Sequence, residues 1–390
     1  MRILQVYNQY SSSVAGEEKV VHSITDVMKN RGAEVDLWMR TSRGIEDSVS
    51  KKLGAFCSGI FSISAYKEML NRINKFHPDV VHVHNLYPLF SPSVLVACKK
   101  MNIPVVMHIH NYGLTCPNWS HFRKEKICMK CYGGKEHWCF IHNCAGDIYK
   151  SMGYTTRNIV ARKLRLFHNN VTLFTGLSGF AKNHFINAGF RKDRMILLPS
   201  MVNIPQAGNG AFQGEYIGYV GRMDVTKGVD TIIEAAKLVR LPIKLAGDGP
   251  QLFSLKKNSS ENAQFVGVLK HDQLAEFYKR ARFIIVASKW FEMYPNVILE
   301  AMSYALPVIT TNIGVMPEIV KNDTTGLLFD PGSASDLARK MEFLWANPAL
   351  CDRMGKKGRQ IVLMENSEEV FYHRLMSVYE RAIAISASAA

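Results

Sequence analysis

The feature that most constrains the fold of this chain is the regular alternation of short apolar runs with longer stretches of helical periodicity. The alternation occurs in two sets, and a segment rich in Pro and Gly, 199–214, separates them. Strands that alternate with helices form parallel sheets covered by helices. With 390 residues, of which 47% are apolar, the chain has enough material for two such domains. The sequence therefore predicts an α/β protein built from two doubly wound, Rossmann-like domains.

Ten apolar runs are predicted as strands, five on each side of the Pro- and Gly-rich segment. They are 3–7, 34–38, 80–84, 105–110 and 171–177 in the first half, and 216–220, 243–246, 264–266, 283–286 and 308–310 in the second. The stretch from 368 to 385 is predicted as a helix.

The charge of the chain is concentrated in its first half. The net charge is +15; residues 1–200 contain 27 Lys and Arg against 13 Asp and Glu, whereas residues 201–390 contain 21 against 20. This asymmetry predicts an anionic partner for the first half alone, either nucleic acid or an acidic membrane surface. No run of eighteen apolar residues occurs, and the first residues lead into a strand pattern without the layout of a signal peptide. We therefore expect a cytoplasmic protein.

The segment 149–168 combines basic residues with an apolar helical face. Val160, Leu164 and Phe167 fall on one face of a helix. The basic residues that spread over the rest of it are Arg157, Arg162, Lys163 and Arg165. Such a helix either lies in an anionic headgroup layer, where each basic residue contributes about 1 kcal/mol, or packs on the core with a solvated basic back.

Two glutamates, Glu292 and Glu300, flank a Pro-marked start of a predicted helix near Pro295 and Asn296. Pro fits the first turn of a helix, and the free N–H groups there face a diphosphate favourably. Carboxylates accept hydrogen bonds from sugar or ribose hydroxyls. The arrangement predicts a site for a sugar nucleotide.

A second motif follows the predicted strand 216–220. Gly221 and Arg222 come directly after this strand, and Lys227 and Gly228 precede the next predicted helix. Phosphates bind at the carboxyl ends of strands in α/β sheets. Arg offers a planar fork to phosphate oxygens and Lys a point charge, so the two cations can neutralise a diphosphate. A further Gly-rich turn begins at Gly247, after the run 243–246.

Together these motifs resemble those of the family 4 retaining glycosyltransferases of GT-B architecture, and the resemblance covers most of the chain. It implies two Rossmann-like domains that face a cleft. The first, 1–203, would take the acceptor and carry a Cys-rich insertion at about 114–148. The second, 204–367, would bind the nucleotide sugar, and a helix at 368–390 would cross back to the first domain.

The resemblance also implies roles for single residues of the donor site. Glu292 would lie beside the donor sugar and Glu300 would hold the nucleotide ribose. Arg222 and Lys227 would grip the diphosphate. The other residues implied to line the donor site are Gly16, Gly221, Gly247, Val268, Asn296 and Val297.

His110 ends a predicted strand and resembles the active-site His of the family, although the next residue is Asn111 where Asp is commoner. His108 points the same way, because alternate residues of a strand share a face, and is predicted to be a buried, hydrogen-bonded core residue. His84 is a similar strand-end candidate. Gly16 corresponds to one glycine of the family's glycine loop, with Ala15 in place of the other.

Five of the eight Cys lie close together in the sequence: Cys116, Cys128, Cys131, Cys139 and Cys144. Disulfides are disfavoured in the cytoplasm. Cys128, Cys131, Cys139 and Cys144, with Cys116 as a substitute, could hold a structural zinc ion. An iron–sulfur cluster and unligated thiols are the alternatives.

The function implied is transfer of a hexosyl group from a nucleoside-diphosphate sugar to an acceptor hydroxyl, with retained configuration and without a catalytic metal. His110, Glu292, Arg222 and Lys227 form the catalytic set. The basic half and the resemblance to bacterial members favour a lipid-linked oligosaccharide acceptor at the inner face of the plasma membrane, in O-antigen, lipopolysaccharide, capsule or exopolysaccharide biosynthesis. A soluble acceptor, a GT-B nucleotide-sugar epimerase and a zinc-stabilised nucleic-acid-binding protein are the alternatives.

Overall fold

A computed structural model describes residues 1–9, 16–42, 49–176, 178–205 and 214–388. The chain divides into two compact units. The first comprises Met1–His121, Cys128–Leu198 and Tyr372–Ala390, and the second comprises Phe122–Ile127 and Pro199–Phe371. The units divide at 198/199 and 371/372, a few residues from the predicted boundaries at 203/204 and 367/368. The predicted linker lies largely in 206–213, outside the described residues.

The secondary structure follows the predicted alternation. The strands are β1 (Arg2–Gln9), β2 (Glu34–Thr41), β3 (Val80–Val83), β4 (Val105–His108), β5 (Phe122–Arg123), β6 (Lys126–Ile127), β7 (Leu173–Gly176), β8 (Met195–Leu197), β9 (Tyr216–Val220), β10 (Ile243–Ala246), β11 (Ala263–Gly267), β12 (Ala281–Val286), β13 (Val308–Thr311) and β14 (Gly326–Phe329). The helices are α1 (Gly16–Asn30), α2 (Val49–Ile60), α3 (Ile63–Phe76), α4 (Ser93–Lys100), α5 (His137–Ile141), α6 (Ile148–Lys163), α7 (Leu166–Asn170), α8 (Gly179–Asn187), α9 (Val229–Leu238), α10 (Leu252–Asn258), α11 (His271–Arg280), α12 (Asn296–Ser303), α13 (Met316–Ile319), α14 (Ala334–Ala346), α15 (Pro348–Glu365) and α16 (Glu368–Ser388).

Each unit contains a six-stranded parallel sheet, which confirms the predicted α/β class. The strand order is β2-β1-β3-β4-β7-β8 in the first unit and β11-β10-β9-β12-β13-β14 in the second. The order reverses between β1 and β3 in the first sheet and between β9 and β12 in the second. Ligands of doubly wound sheets bind at such reversals, outside the carboxyl ends of the strands.

The strands are apolar because helices and loops cover both faces of each sheet. Every residue of β3 and β4 is buried, and so is the run from Phe283 to Val286 of β12. Branched residues such as Ile284 and Ile285, both 0% exposed, suit this setting because they pack well on a pleated surface. Burial on both faces therefore explains why these strands read as continuous apolar runs in the sequence.

The segment 149–168 is not the single amphipathic helix that the sequence predicted. Helix α6 ends at Lys163, Arg165 adopts a left-handed conformation with φ of 52°, and α7 follows. Leu164 is exposed whereas Phe167 is buried, so the predicted apolar face is broken. Arg157 is buried too, with its guanidinium 4.2 Å from the ring centroid of Tyr87. This arginine therefore serves the core of the first unit, not a headgroup layer or a solvated back.

From Tyr372 onward, helix α16 packs in the first unit. Leu375, Tyr379 and Ala382 are fully buried, and the Tyr379 hydroxyl lies 2.7 Å from Nδ1 of His82 on β3. The helix thus completes the core around the first sheet. Within the described parts of the chain, no helix has both the length and the apolar character needed to cross a membrane.

Candidate functional site

The strand reversal of the second unit brings two of the predicted site residues together. Lys227 follows β9 and Glu292 follows β12, and Nζ of Lys227 lies 2.6 Å from Oε1 of Glu292. The hydroxyl of Ser288 donates to the same oxygen at 2.8 Å. Glu292 is only 8% exposed. A lysine and a glutamate 65 residues apart in the chain therefore form one partly buried pair at the edge where ligands bind.

The charge state of Glu292 follows from its neighbours. Burial raises the pKa of its carboxyl group, but the charge of Lys227 and the hydrogen bonds from Lys227 and Ser288 outweigh burial and hold the pKa below its usual value. Glu292 is therefore a carboxylate at neutral pH. It holds the Lys227 ammonium in a fixed position.

Arg222 lies in the same loop and reaches into solvent. Its side chain is 67% exposed, and its Nε lies 3.3 Å from a carboxylate oxygen of Asp224. The other oxygen of Asp224 accepts a hydrogen bond from the Thr226 backbone N–H at 2.9 Å, which fixes the turn. The exposed guanidinium can therefore meet a diphosphate while its loop stays ordered.

Two glycines allow the loops of this edge to approach each other closely. Gly228 has φ of 64°, and a Cβ there would lie 2.0 Å from the carbonyl oxygen of Ala287. Gly247 has φ of 135°, and a Cβ there would lie 1.9 Å from the carbonyl oxygen of Gly221. Only glycine combines such dihedral angles with such contacts. The predicted Gly-rich turns therefore pack backbone against backbone.

The loop after β11 joins this edge as well. The Gly247 N–H donates to the carbonyl oxygen of Gly267 at 2.8 Å. Val268 follows Gly267 and is 71% exposed. Val268, which the resemblance places in the donor site, is therefore accessible and lies close to the Gly247 turn.

Helix α12 begins at Asn296, as the sequence predicted, with Pro295 before it and no side chain capping its first turn. Its first N–H groups, which include those of Asn296 and Val297, remain available for an anion. In the second turn, Glu300 accepts a hydrogen bond of 2.7 Å from the Tyr278 hydroxyl. Tyr278 is buried, and burial raises its pKa, so it remains a donor that orients Glu300.

In the first unit, His110 pairs with His84. Nδ1 of His84 lies 2.9 Å from Nε2 of His110, just beyond the carboxyl ends of β3 and β4. His82 and His108 extend the row, with ring centroids 4.3 Å from His84 and 4.6 Å from His110 respectively. Burial lowers the pKa of all four imidazoles, that of His108 to about 4. His110 is therefore a neutral hydrogen-bonding group at physiological pH.

His108 is buried, as predicted, but the predicted hydrogen bond is not found among the residues that the structure describes. Neither ring nitrogen has a partner among the described residues. The sheet places the ring between the other imidazoles, where ring contacts replace hydrogen bonds.

Glu17 in the first turn of α1 is a site residue that the sequence did not reveal. It lines a pocket together with His84, His110 and Asn111. Its Oε1 is buried, with no partner in the part of the chain that the structure describes. Gly16 precedes it as the first residue of α1, whereas Ala15 and the rest of the predicted glycine loop lie outside the described residues.

Glu17→Gln should remove a pH dependence of stability. Burial raises the pKa of Glu17 from 4.5 to about 8, so between these values the folded protein holds a proton that the unfolded chain has lost. Stability therefore falls as pH rises through this window and then levels off. We expect the variant to melt at a higher temperature than the wild type at about pH 8 and at the same temperature near pH 4.5, in melting curves recorded from about pH 4 to 9.

Glu34→Gln is the matched control, because Glu34 is exposed in the same unit. It should follow the wild-type profile. If the melting temperatures of Glu17→Gln and the wild type changed with pH in parallel, the conclusion that Glu17 is buried in its uncharged form would be contradicted.

The cysteines of the insertion are free thiols that approach each other in pairs. Cys116 and Cys131 share a hydrogen bond, which lowers the pKa of Cys116 to about 7, and Cys139 is hydrogen-bonded to Cys144. The backbone N–H of Cys128 donates a hydrogen bond of 2.7 Å to the carbonyl oxygen of His121. In the described parts of the chain, no three His, Cys, Asp or Glu side chains are grouped to hold a metal ion. Zinc or an iron–sulfur cluster stays a prediction.

Comparison with known proteins identifies the family. The model of group 1 glycosyl transferases matches residues 206–361, and that of glycosyltransferase family 4 matches residues 14–205. An uncharacterised glycosyltransferase of Methanocaldococcus jannaschii is 31% identical over 306 residues, which cover 77% of this chain and 75% of that protein. The chain belongs to glycosyltransferase family 4. The family predicted from the sequence is confirmed.

Relatives of this glycosyltransferase include the O-antigen chain mannosyltransferase C of Escherichia coli, 22% identical over 92% of this chain and 93% of that protein. The chain spans 56% of the length of the sulfoquinovosyl transferase of Arabidopsis thaliana, with which it is 26% identical. The crystal structure of Anabaena HepE in complex with UDP and glucose superposes with a TM-score of 0.67 at 14% identity, covering 98% of this chain and 100% of that one. The GT-B fold is thereby confirmed.

Proposed function

We propose that this glycosyltransferase moves a sugar from a nucleoside-diphosphate sugar to an acceptor hydroxyl, with retention of configuration and without a catalytic metal. The observation that carries the proposal is the pair of Lys227 and Glu292 at the strand reversal of the second unit. A cation and a hydroxyl-binding carboxylate stand side by side there, as a diphosphate joined to a sugar requires.

The departing diphosphate is stabilised by cations and by a helix end. Lys227 and Arg222 supply two positive charges, and the uncapped start of α12 at Asn296 and Val297 supplies N–H groups. One well-placed donor at a developing negative charge contributes about 3 kcal/mol of transition-state stabilisation. The acceptor hydroxyl attacks the sugar carbon directly as the bond to the diphosphate breaks, and the diphosphate oxygens take its proton, so no carboxylate of the protein acts as a nucleophile.

The remaining site residues position the substrates. Glu292 accepts hydrogen bonds from hydroxyls of the donor sugar, and Glu300, oriented by Tyr278, accepts them from the ribose. His110 is neutral and offers a hydrogen bond to a substrate hydroxyl, not a charge. Gly221, Gly247 and Val268 shape the edge against which the nucleotide lies.

A lipid-linked oligosaccharide is the acceptor that we propose, at the inner face of the plasma membrane during synthesis of a bacterial surface polysaccharide. The excess of 14 basic residues within 1–200 supports an anionic surface as partner. The functions of two relatives support the pathway: the Escherichia coli O-antigen mannosyltransferase and a capsular polysaccharide glycosyltransferase of Staphylococcus aureus.

Thermal stabilisation by nucleotides tests the donor site. We expect UDP, GDP, ADP or CMP, added without metal, to raise the melting temperature of the wild type, since a ligand of the folded state stabilises it. UDP is the first candidate, because HepE binds it. Arg222→Ala should abolish the shift because it removes a phosphate-binding cation.

Arg240→Ala removes an exposed arginine of the same unit and is the control. It should keep the shift. A panel without any shift, or a shift that Arg222→Ala leaves unchanged, would contradict the proposed donor site.

A further inference from the structure

The first unit contains a second pocket beside the one at His84 and His110. The two pockets share four wall residues, Tyr87, Gly113, Leu114 and Phe167, so they adjoin each other. The other walls of the second pocket come from the Cys-rich insertion, from α6 and α7, and from the turn after α8. We call it the insertion pocket. A molecule whose end lies at His110 can extend into it.

Asn158 lines the insertion pocket and has an unpartnered polar atom. Asn158 on α6 is 8% exposed, and its Nδ2 donates a hydrogen bond of 2.6 Å to the carbonyl oxygen of Gly113. This bond orients the amide and leaves Oδ1 buried, with no partner among the described residues. A buried acceptor without a partner carries a cost in stability, because it has lost its hydrogen bond to water. A ligand that donates an O–H or N–H to this oxygen would remove that cost.

The pocket has no cation to spare for an anionic ligand. Arg162 donates to both carboxylate oxygens of Glu136, at 2.5 and 3.1 Å, and to the carbonyl oxygen of Gly134. His168 is neutral, because burial and the nearby charges of Arg165 and Arg194 lower its pKa. Every other residue lining the pocket is uncharged or a thiol. A phosphate or carboxylate would therefore face acceptor atoms without a balancing charge.

Aromatic rings form the rest of the wall. Phe167, Phe190 and Tyr87 line the pocket, and the ring of His168 stacks on Phe190 with centroids 4.3 Å apart. Such rings offer apolar faces, whereas Asn158 and the Glu136–Arg162 pair offer hydrogen-bonding edges. A sugar ring has the matching character, with an apolar face of C–H groups and an edge of hydroxyls.

We propose that the insertion pocket is a subsite for a neutral sugar of the acceptor, one residue away from the sugar whose hydroxyl reacts. The proposal rests on the proposed function and specifies its acceptor: an oligosaccharide of at least two units, bound through hydroxyl donors to Oδ1 of Asn158. The lipid-linked diphosphate of such an acceptor lies elsewhere, because the insertion pocket excludes anions.

The test compares binding of disaccharides and monosaccharides. Cellobiose, lactose and mannobiose are titrated as methyl glycosides, with the methyl glycosides of glucose, galactose and mannose beside them, and binding is followed by saturation-transfer NMR. At least one disaccharide should bind about tenfold more tightly than its monosaccharide, a difference that two or three hydrogen bonds and a ring contact readily supply. Equal affinity throughout the panel overturns the proposal.

Two variants and a control locate the binding. Ala188→Trp fills the pocket from its rim, and Asn158→Leu keeps the size of the side chain but removes the unpartnered oxygen. Each should abolish the preference for the disaccharide. Asn187→Trp places the same bulk on the neighbouring exposed residue and should keep it. A preference that survives both pocket variants overturns the subsite.

Nucleotide binding separates this proposal from the donor site. Ala188→Trp should keep the thermal shift with nucleoside diphosphate, because Arg222, Lys227 and the start of α12, which bind the diphosphate, lie in the second unit. A wild type without any nucleotide shift would count against the proposed function. A wild type that shows the nucleotide shift but no preference for a disaccharide would count against the subsite alone.

Discussion

Lys227→Ala should lower the turnover of sugar transfer by about 100- to 1,000-fold, the usual effect of removing one donor aimed at a developing negative charge. The ammonium of Lys227 is held at 2.6 Å from Glu292, so its position is set before substrate binds. Preorganised charge costs no reorganisation when the diphosphate departs. The variant also leaves the carboxylate of Glu292 buried without its cation. The measurement is release of nucleoside diphosphate from the sugar nucleotide whose base gives the thermal shift.

Lys237→Ala is the matched control. Lys237 lies on the exposed side of α9, in a surface pair with Glu234 at 2.7 Å. Turnover of this variant should equal that of the wild type, because exposed pairs contribute little. A Lys227→Ala enzyme that keeps its turnover to within a few-fold would remove Lys227 from the catalytic set.

Gly228→Ala should destabilise the second unit by about 3 kcal/mol. Part of this cost comes from the left-handed conformation, about 1–2 kcal/mol for a residue with a Cβ. The rest comes from the carbonyl oxygen of Ala287, which would lie 2.0 Å from the new Cβ and belongs to the backbone, so the loops after β9 and β12 must separate. Calorimetry should show the melting temperature lowered by about 6 °C or more.

Gly332→Ala is the control that separates the cost of the backbone contact from the cost of the left-handed conformation. Gly332 has φ of 78°, but nothing lies within 4 Å of a Cβ there. This variant should cost only about 1 kcal/mol. Equal losses at Gly228 and Gly332 would mean that the backbone at Ala287 yields easily, and that the close approach of the two loops is not needed.

The strands that form the core could be predicted because burial on both faces produces continuous apolar runs. The predicted strands 216–220 and 243–246 have the same first and last residues as β9 and β10. A glycine follows each of them in the sequence and marks where the strand ends. By contrast, β8 and β14 were missed. The first has only three residues, and the second has only three apolar residues after its glycine, so both apolar runs are shorter than the roughly 4–8 residues typical of a strand. Both are outermost strands of their sheets, where short length is common.

The site could be predicted only where its residues lie in motifs. Lys227 and Glu292 lie in sequence motifs and were predicted. Ser288 and Tyr278 were missed because their contacts depend on how the chain folds back. The helical periodicity of 149–168 predicted the wrong environment for Arg157. Its charge predicts a surface position, but its guanidinium packs on aromatic rings. An arginine whose guanidinium and aliphatic chain pack on aromatic rings is buried far more readily than the charge of its side chain suggests.

Helix α16 affects the order in which the two units are completed during synthesis. Leu375, Tyr379 and Ala382 fill the core of the first unit, yet they follow the whole second unit in the sequence. A ribosome that adds about 5–20 residues per second needs roughly ten seconds or longer to pass from one to the other. During that interval the nascent first sheet displays the apolar surface that α16 will cover. The first unit therefore completes its core only after the whole second unit has been synthesised.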